Sequence, residues 1–260
     1  MASAKSEVSG GDLYSRPLSP KSLPASSLTF LPLVDLRPVG GWRTLLPMTN
    51  SAFFPATGMP DDDWWHTLWP NPKDVLAKTG IVPGLSVIDL CCGNGHFTVP
   101  LVSLVGSSGR VIAVDIDTDM LNAARQVLER TLDQASVAIC QWIVSDASKI
   151  DQVLQQKDAA DAVLMANTFH GVPDQTALSR SISRVLKPGG LFIIVNWHAM
   201  AREKTTVLDQ ARGPKTEMRM TPQSVESVVV VAGFALQKII ELPPYHYAAV
   251  FQVASDDTTA

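Results

Sequence analysis

Residues 86–101, S-V-I-D-L-C-C-G-N-G-H-F-T-V-P-L, restrict this chain more than any other stretch. Val87, Ile88 and Leu90 form a short apolar run, the pattern of a central parallel strand covered on both faces. The strand is expected to end near Asp89, turn through Gly93 and Gly95, and open a helix near Phe97. Glycine at both turn positions gives the backbone angles closed to other residues and leaves no Cβ between chain and ligand. A helix that starts there points its first N–H groups and positive dipole end at whatever sits above the turn. Asp89, at the strand end, can accept hydrogen bonds from a cationic or N–H-bearing ligand. Read alone, the glycine pair fits a packing turn equally well, so the rest of the chain has to decide.

Beyond the glycine turn, strand and helix alternate. Arg110–Asp115 reads as a second strand, and Asp115 lies 22 residues after Gly93, the spacing at which an acidic side chain meets a ribose. Asp117 reads as the N-cap of a helix from about Thr118 to Leu132, with Met120, Leu121, Ala124, Val127 and Leu128 as its apolar stripe. A third strand is expected over Ser136–Val144, ending in Ser145, Asp146 and Ala147. A fourth, Asp161–Ala166, ends in Asn167. A helix from about Gln175 to Val185 stops at a Lys187-Pro188-Gly189-Gly190 turn before a strand over Leu191–Trp197. Thr221-Pro222 caps a further helix that Gly233 ends. Two strands, about Ala235–Leu242 and Tyr247–Val253, complete the pattern with Pro243-Pro244 between them. Alternation of this kind predicts an α/β fold with a doubly wound, mostly parallel, seven-stranded Rossmann-like sheet and a terminal antiparallel strand. Ligands in such sheets sit at the carboxyl ends of the strands. Asp89 with Gly93 and Gly95, then Asp115, Asp146 and Asn167, form one polar rim at four successive strand ends.

Composition narrows the partners. Apolar residues are 46% and charged residues 18%, which is globular composition. A net charge of −4 and a pI near 5.7 argue against a nucleic-acid surface and against a polybasic contact with anionic membranes. No apolar run is long enough to span a bilayer. Three cysteines cannot build a disulfide framework, which points to a reducing compartment and so to the cytoplasm. No Cys/His cluster with ligand spacing surrounds Cys91 and Cys92, so no metal is expected and the pair reads as packing.

The N-terminal residues differ. Residues 1–58 are rich in Ser, Pro and Leu without sustained periodicity, and composition predicts disorder through most of them. Two readings stand for this leader: a transit-like segment to an organelle, weakened by Glu7, Asp12 and Asp35, or an upstream extension before Met48 or Met59. Residues 59–260 form the expected folded domain, with 59–84 as a cap segment. Asp61–Asp63 suit a helix N-terminus. Trp65, Leu68 and Trp69 share a helix face, either packed on the domain or covering its active site. His66 reads as structural.

With these motifs in place, the sequence resembles the class I S-adenosylmethionine-dependent methyltransferases over Val87–Val253, about two thirds of the chain. D-L-C-C-G-N-G is similar to the family's first motif, V-D-I-D-T-D-M-L to its second and S-D-A to its third. A-N-T-F-H-G-V followed by V-L-K-P-G-G most resembles the small-molecule branch that includes the ubiquinone and menaquinone methyltransferases. The resemblance implies that S-adenosylmethionine is the cofactor, with Asp89 and the backbone of Cys91, Gly93, Asn94 and Gly95 facing its methionine part. It implies Asp115 on the ribose hydroxyls, Ile116 on adenine, Asp146 and Ala147 at the adenine edge, and Asn167 on the same rim. Cys91 stands where the family often has its first glycine, which implies a side chain turned away from the cofactor. His170 sits where a small-molecule acceptor would approach the methyl group. It is the candidate general base, against a plain loop histidine. His198 is a weaker candidate.

Two rivals remain open to the sequence. A nicotinamide dehydrogenase wants a third glycine or alanine where the chain has Thr98. A cofactor-binding but inactive regulatory module is the other, because in-line positioning alone can lower a barrier by roughly 7–11 kcal/mol without dedicated acids or bases. A nucleic-acid enzyme is disfavoured by the acidic balance and by N-T-F-H in place of an N-P-P-Y-type signature.

Overall fold

The computed structural model describes residues 62–155 and 159–254. The leader expected over 1–58 and the cap assigned to Asp61–Asp63 lie outside the described residues and side chains. Five parallel strands come first in the sheet: β1 (Ser86–Leu90), β2 (Arg110–Asp115), β3 (Cys140–Val144), β4 (Ala160–Ala166) and β5 (Leu186–Trp197). A short hairpin, β6 (Thr206–Val207) with β7 (Gln210–Ala211), follows β5. β8 (Phe234–Leu242) and β9 (His246–Val253) finish the main sheet, with β9 antiparallel to both β5 and β8. The order is β3-β2-β1-β4-β5-β9-β8. Strand order reverses between β1 and β4, and the crevice above that point is where open α/β sheets hold ligands.

Helices α1 (Asp62–Leu68), α2 (Pro72–Lys78) and α3 (Thr98–Val105) cover one face, with α4 (Thr118–Thr131) and α5 (Gln134–Ala138) beside them. There Val87, Leu164, Ile193 and Val195 meet Leu76, Leu101, Val105 and Leu128. Helices α6 (Ile150–Leu154), α7 (Gln175–Val185) and α8 (Pro222–Val229) cover the other, where Ile88, Leu90, Val163 and Ile194 meet Ile150, Ile182 and Val225. Alternate residues of every central strand are therefore buried on opposite faces, as the unbroken apolar runs require.

The caps act where the sequence puts them. Asp117 accepts from the N–H groups of Asp119 at 2.8 Å and Met120 at 3.3 Å, and Thr221 accepts from Ser224 N–H at 3.1 Å. Two local expectations are corrected. Residues 134–138 form α5 and not the start of a strand, because the Asp133 carboxylate takes the Ser136 N–H at 2.8 Å and starts a turn of helix. The Lys187–Gly190 segment does not precede the fifth strand but bulges from within it: Ala160 pairs with Leu186, and Ala162 pairs with Leu191. Gly189 has φ +73°, and a Cβ on Gly190 would lie 2.8 Å from the Lys187 carbonyl, so the bulge needs both glycines.

Candidate active site

β1 delivers Asp89 to the crevice at 2% exposure, on the face shared with α3. The Thr98 hydroxyl donates to its Oδ2 at 2.6 Å. Burial pushes the Asp89 carboxyl up to about 7; the Thr98 hydrogen bond pulls it down and the charge of Asp115 raises it further. The turn after β1 runs through left-handed Cys91 (φ 62°), Gly93 (φ 54°) and Gly95 (φ 89°). A Cβ on Gly95 would lie 2.8 Å from the Ala124 Cβ, so glycine there lets α4 close on the turn. Three turn amides are engaged inside the protein: Cys92 N–H to the Val114 carbonyl, Gly95 N–H to the Cys92 carbonyl, and Gly93 N–H to Asp115 Oδ2 at 2.8 Å.

Asp115 thus ties the end of β2 to the glycine turn. Its other oxygen, Oδ1, accepts from Asp117 N–H at 3.0 Å. Burial raises its pKa, and the amides of Asp117, Gly93 and Ile116 pull it back. A carboxylate has about four lone-pair sites, so acceptor capacity is left for a ligand. At the end of β3, Asp146 Oδ1 accepts from the N–H and hydroxyl of Ser148, while the Ala147 methyl is buried in the core under α7. Cys91 packs against the opposite core face from Asp89. Burial and then the charges of Asp115, Asp89 and Asp146 hold its thiol well above the ordinary range. Three carboxylates from three strand ends therefore converge on this one residue.

β4 ends in Asn167, which is left-handed at φ 57° and holds a buried Oδ1 without a partner among the described residues. Its backbone N–H donates to the Val195 carbonyl at 2.7 Å. His170 follows on a single 3₁₀ turn, partly buried. Burial lowers its pKa, the nearby Asn196 side chain raises it, and the Arg219 charge lowers it. The ring is neutral at neutral pH.

On the far side of the crevice the sequence singled out Trp65 and Trp69 but not Trp197, Arg219 or His246. Trp197 ends β5, His246 opens β9 directly beside it, and their ring centroids are 4.1 Å apart. Arg219 lies over Trp197 at 5.1 Å and donates to Thr205 Oγ1 and to the Arg212 and Pro214 carbonyls. Trp65 and Trp69 bury themselves here, at the end of α1 and just past it: Trp69 is 4.6 Å from His246 and 5.6 Å from Phe97, and Trp65 stacks on His96 at 5.2 Å. A buried indole removes roughly 150–250 Å² from water, at about 25 cal/mol/Å², which is enough to dock a seven-residue helix. His66 is exposed, and His198 is drawn to Glu241 at 2.9 Å at the periphery. Among the described residues, no group of three His, Cys, Asp or Glu side chains could hold a metal, and no helix is long and apolar enough to cross a membrane.

Residues 81–240 match the family described as a methyltransferase domain. The demethylmenaquinone methyltransferase of Lactococcus lactis is 32% identical over 130 residues, 50% of this chain and 48% of that protein. The 2-phytyl-1,4-naphtoquinone methyltransferase of Synechococcus elongatus is 34% identical over 134 residues, 51% of this chain and 54% of that protein. The chain thus spans about half the length of these relatives. A crystal structure of a SAM-dependent methyltransferase from Aquifex aeolicus superposes with a TM-score of 0.64 at 23% identity, covering 75% of this chain and 95% of that one. With its matched residues running from just after α2 into β8 and its fold shared with that structure, this chain belongs to the methyltransferase-domain family.

Proposed function

We infer that this chain transfers a methyl group from S-adenosylmethionine to a small aromatic acceptor of the quinone-precursor kind. The observation that carries the reading is the clamp between Gly93 N–H and Asp115 Oδ2, which sets a carboxylate with spare acceptor sites at the switch point of the sheet. The cofactor supplies an electrophilic methyl group on a sulfonium and also presents an ammonium and a ribose diol. The residues present suit those groups: Asp89 and Asp146 bring carboxyl groups beside the turn, Asp115 has acceptor sites to offer a diol, and the Asn167 Oδ1, unpartnered among the described residues, can accept an N–H. The relatives' quinone names support the acceptor class.

Thr98 bears on the dehydrogenase alternative. It occupies the third fingerprint position, and its hydroxyl is used to hold Asp89. That serves a site that receives a cation better than one packing a helix against a pyrophosphate. His170, neutral because it is buried, offers an unprotonated ring nitrogen to the acceptor's departing proton, which balances the methyl cation gained.

The test is turnover of the full chain with methyl-labelled S-adenosylmethionine and a panel of reduced benzoquinones and naphthoquinones carrying an open ring position. Label is expected in at least one product. A thermal shift with NAD but none with S-adenosylmethionine or S-adenosylhomocysteine would overturn the reading.

A further inference from the structure

His246 is 0% exposed, yet among the described residues neither Nδ1 nor Nε2 has a hydrogen-bond partner. Burial holds its pKa well below the ordinary value, with the charges of His198 and Arg219 adding to the effect. The ring therefore carries one N–H donor and one bare acceptor nitrogen. Leaving both unmade in a dry site is unfavourable, so something must offset it. The surroundings are indoles: Trp197 at 4.1 Å, Trp69 at 4.6 Å and Trp65 at 6.1 Å.

Position links this box to the methyl-transfer site. Asp89, Trp197 and His246 all stand at the crevice end of their strands, and Trp197 and His246 pair directly across β5 and β9. Phe97 and His96, which close the glycine turn, touch Trp69 and Trp65 directly. Two of the three indoles come from α1 and the residue after it, and a helix of seven residues is too short to hold its shape away from the domain. Displacing α1 together with Trp69 would uncover the rings of His96, Phe97 and His246 that the two indoles now cover.

We propose that His246 is the specificity determinant for the acceptor: a planar aromatic ring takes the place of Trp69 beside Phe97 and His246 and hydrogen-bonds through its oxygen substituent to the His246 imidazole. This rests on the methyltransferase reading with an aromatic acceptor. A neutral imidazole suits such a ligand because it donates to a carbonyl oxygen and accepts from a hydroxyl. It therefore receives either redox form of a quinone-type ring. It also explains why a histidine is kept where phenylalanine would pack without unmade hydrogen bonds.

The experiment uses the full chain saturated with S-adenosylhomocysteine and two probes, 1-naphthol and naphthalene, followed by quenching of tryptophan fluorescence. Wild type is expected to bind 1-naphthol at least about tenfold more tightly than naphthalene. His246→Phe is expected to bring that ratio to about one, to leave S-adenosylhomocysteine affinity unchanged, and to raise the Tm of the unliganded chain. His246→Gln, which keeps a donor and an acceptor, restores part of the ratio and covers the case in which the phenylalanine variant misfolds. A ratio unchanged in His246→Phe, a wild type that does not discriminate, or one that binds neither probe while binding S-adenosylhomocysteine would each overturn the proposal. Failure of wild type to bind S-adenosylhomocysteine, titrated without probe, would overturn the methyltransferase reading itself.

Discussion

The Thr98 hydroxyl donates a 2.6 Å hydrogen bond to Asp89, a carboxyl that burial has pushed up to about 7. Between its ordinary value near 3.8 and 7, the native chain holds a proton there that the unfolded chain releases. Unliganded stability therefore falls as pH rises through that window. A cation beside Asp89 favours the ionised form, so S-adenosylmethionine binding should strengthen over the same range, by up to about tenfold per pH unit below 7. Asp89→Asn is expected to flatten both curves, with a higher unliganded Tm than wild type at pH 8 and weaker cofactor binding. Melting curves and titrations from pH 5 to 8 check this; parallel profiles for the two proteins would reject it.

On the proposed function Asp115 has two duties, and its removal should be felt twice. Its oxygens hold the Gly93 and Asp117 amides, so Asp115→Ala is expected to destabilise the unliganded chain, by about 1–3 kcal/mol for the stranded donors. That amounts to several degrees in a domain of this size, at about 2–4 °C per kcal/mol. Loss of the ribose contacts adds at least about tenfold in S-adenosylmethionine affinity. Asp115→Asn keeps one acceptor oxygen and should recover part of the stability. A variant with wild-type Tm and wild-type affinity would remove Asp115 from both roles.

For His170, the expected signature is kinetic. His170→Gln should lower kcat by about 10²-fold or more while leaving S-adenosylhomocysteine affinity unchanged. Because burial lowers the pKa, the midpoint of the rise in kcat with pH should lie below the ordinary imidazole value of 6.5. Unchanged kcat in the variant would leave His170 as a loop histidine.

Trp65 separates a cover from a strut. At 6% exposure it fills a gap that alanine cannot, so Trp65→Ala should cost about 3–5 kcal/mol of stability. It should also raise the acceptor's apparent KM more than the cofactor's Kd. Equal effects on the two ligands would assign the indole to packing alone.

Most of what positions the cofactor side was legible in the sequence because the signals are local. The β1 run, the glycine turn, the Asp115 spacing and the Asp117 and Thr221 caps are each written within a short stretch of chain. Where two local signals competed, the shorter-range one won: Asp133 claims the Ser136 amide before Val137 and Ile139 can pair as strand. The bulge at Lys187–Gly190 was hidden because a K-P-G-G sequence reads as a turn, whereas pairing on both sides of it depends on β4. The aromatic side of the crevice was half legible: Trp65 and Trp69 marked a helix face that packs or covers, but not what it meets. His246 is one polar residue ahead of an apolar strand, and its neighbours come from the α1 segment and β5, brought together only by the finished sheet.

The strand order has a consequence for how the chain must be made. β9 lies between β5 and β8 and is the latest of the seven in the chain. While it is still inside the ribosome, β5 stands as an open edge with Phe192–Trp197 ready to pair with a neighbour, and such edges template aggregation. α1, synthesised before the sheet, has only half of its dock until His246 emerges. A polypeptide stalled before residue 246 is thus a sticky, half-zipped sheet in need of a chaperone, and the last hairpin is the clasp that makes it safe to release.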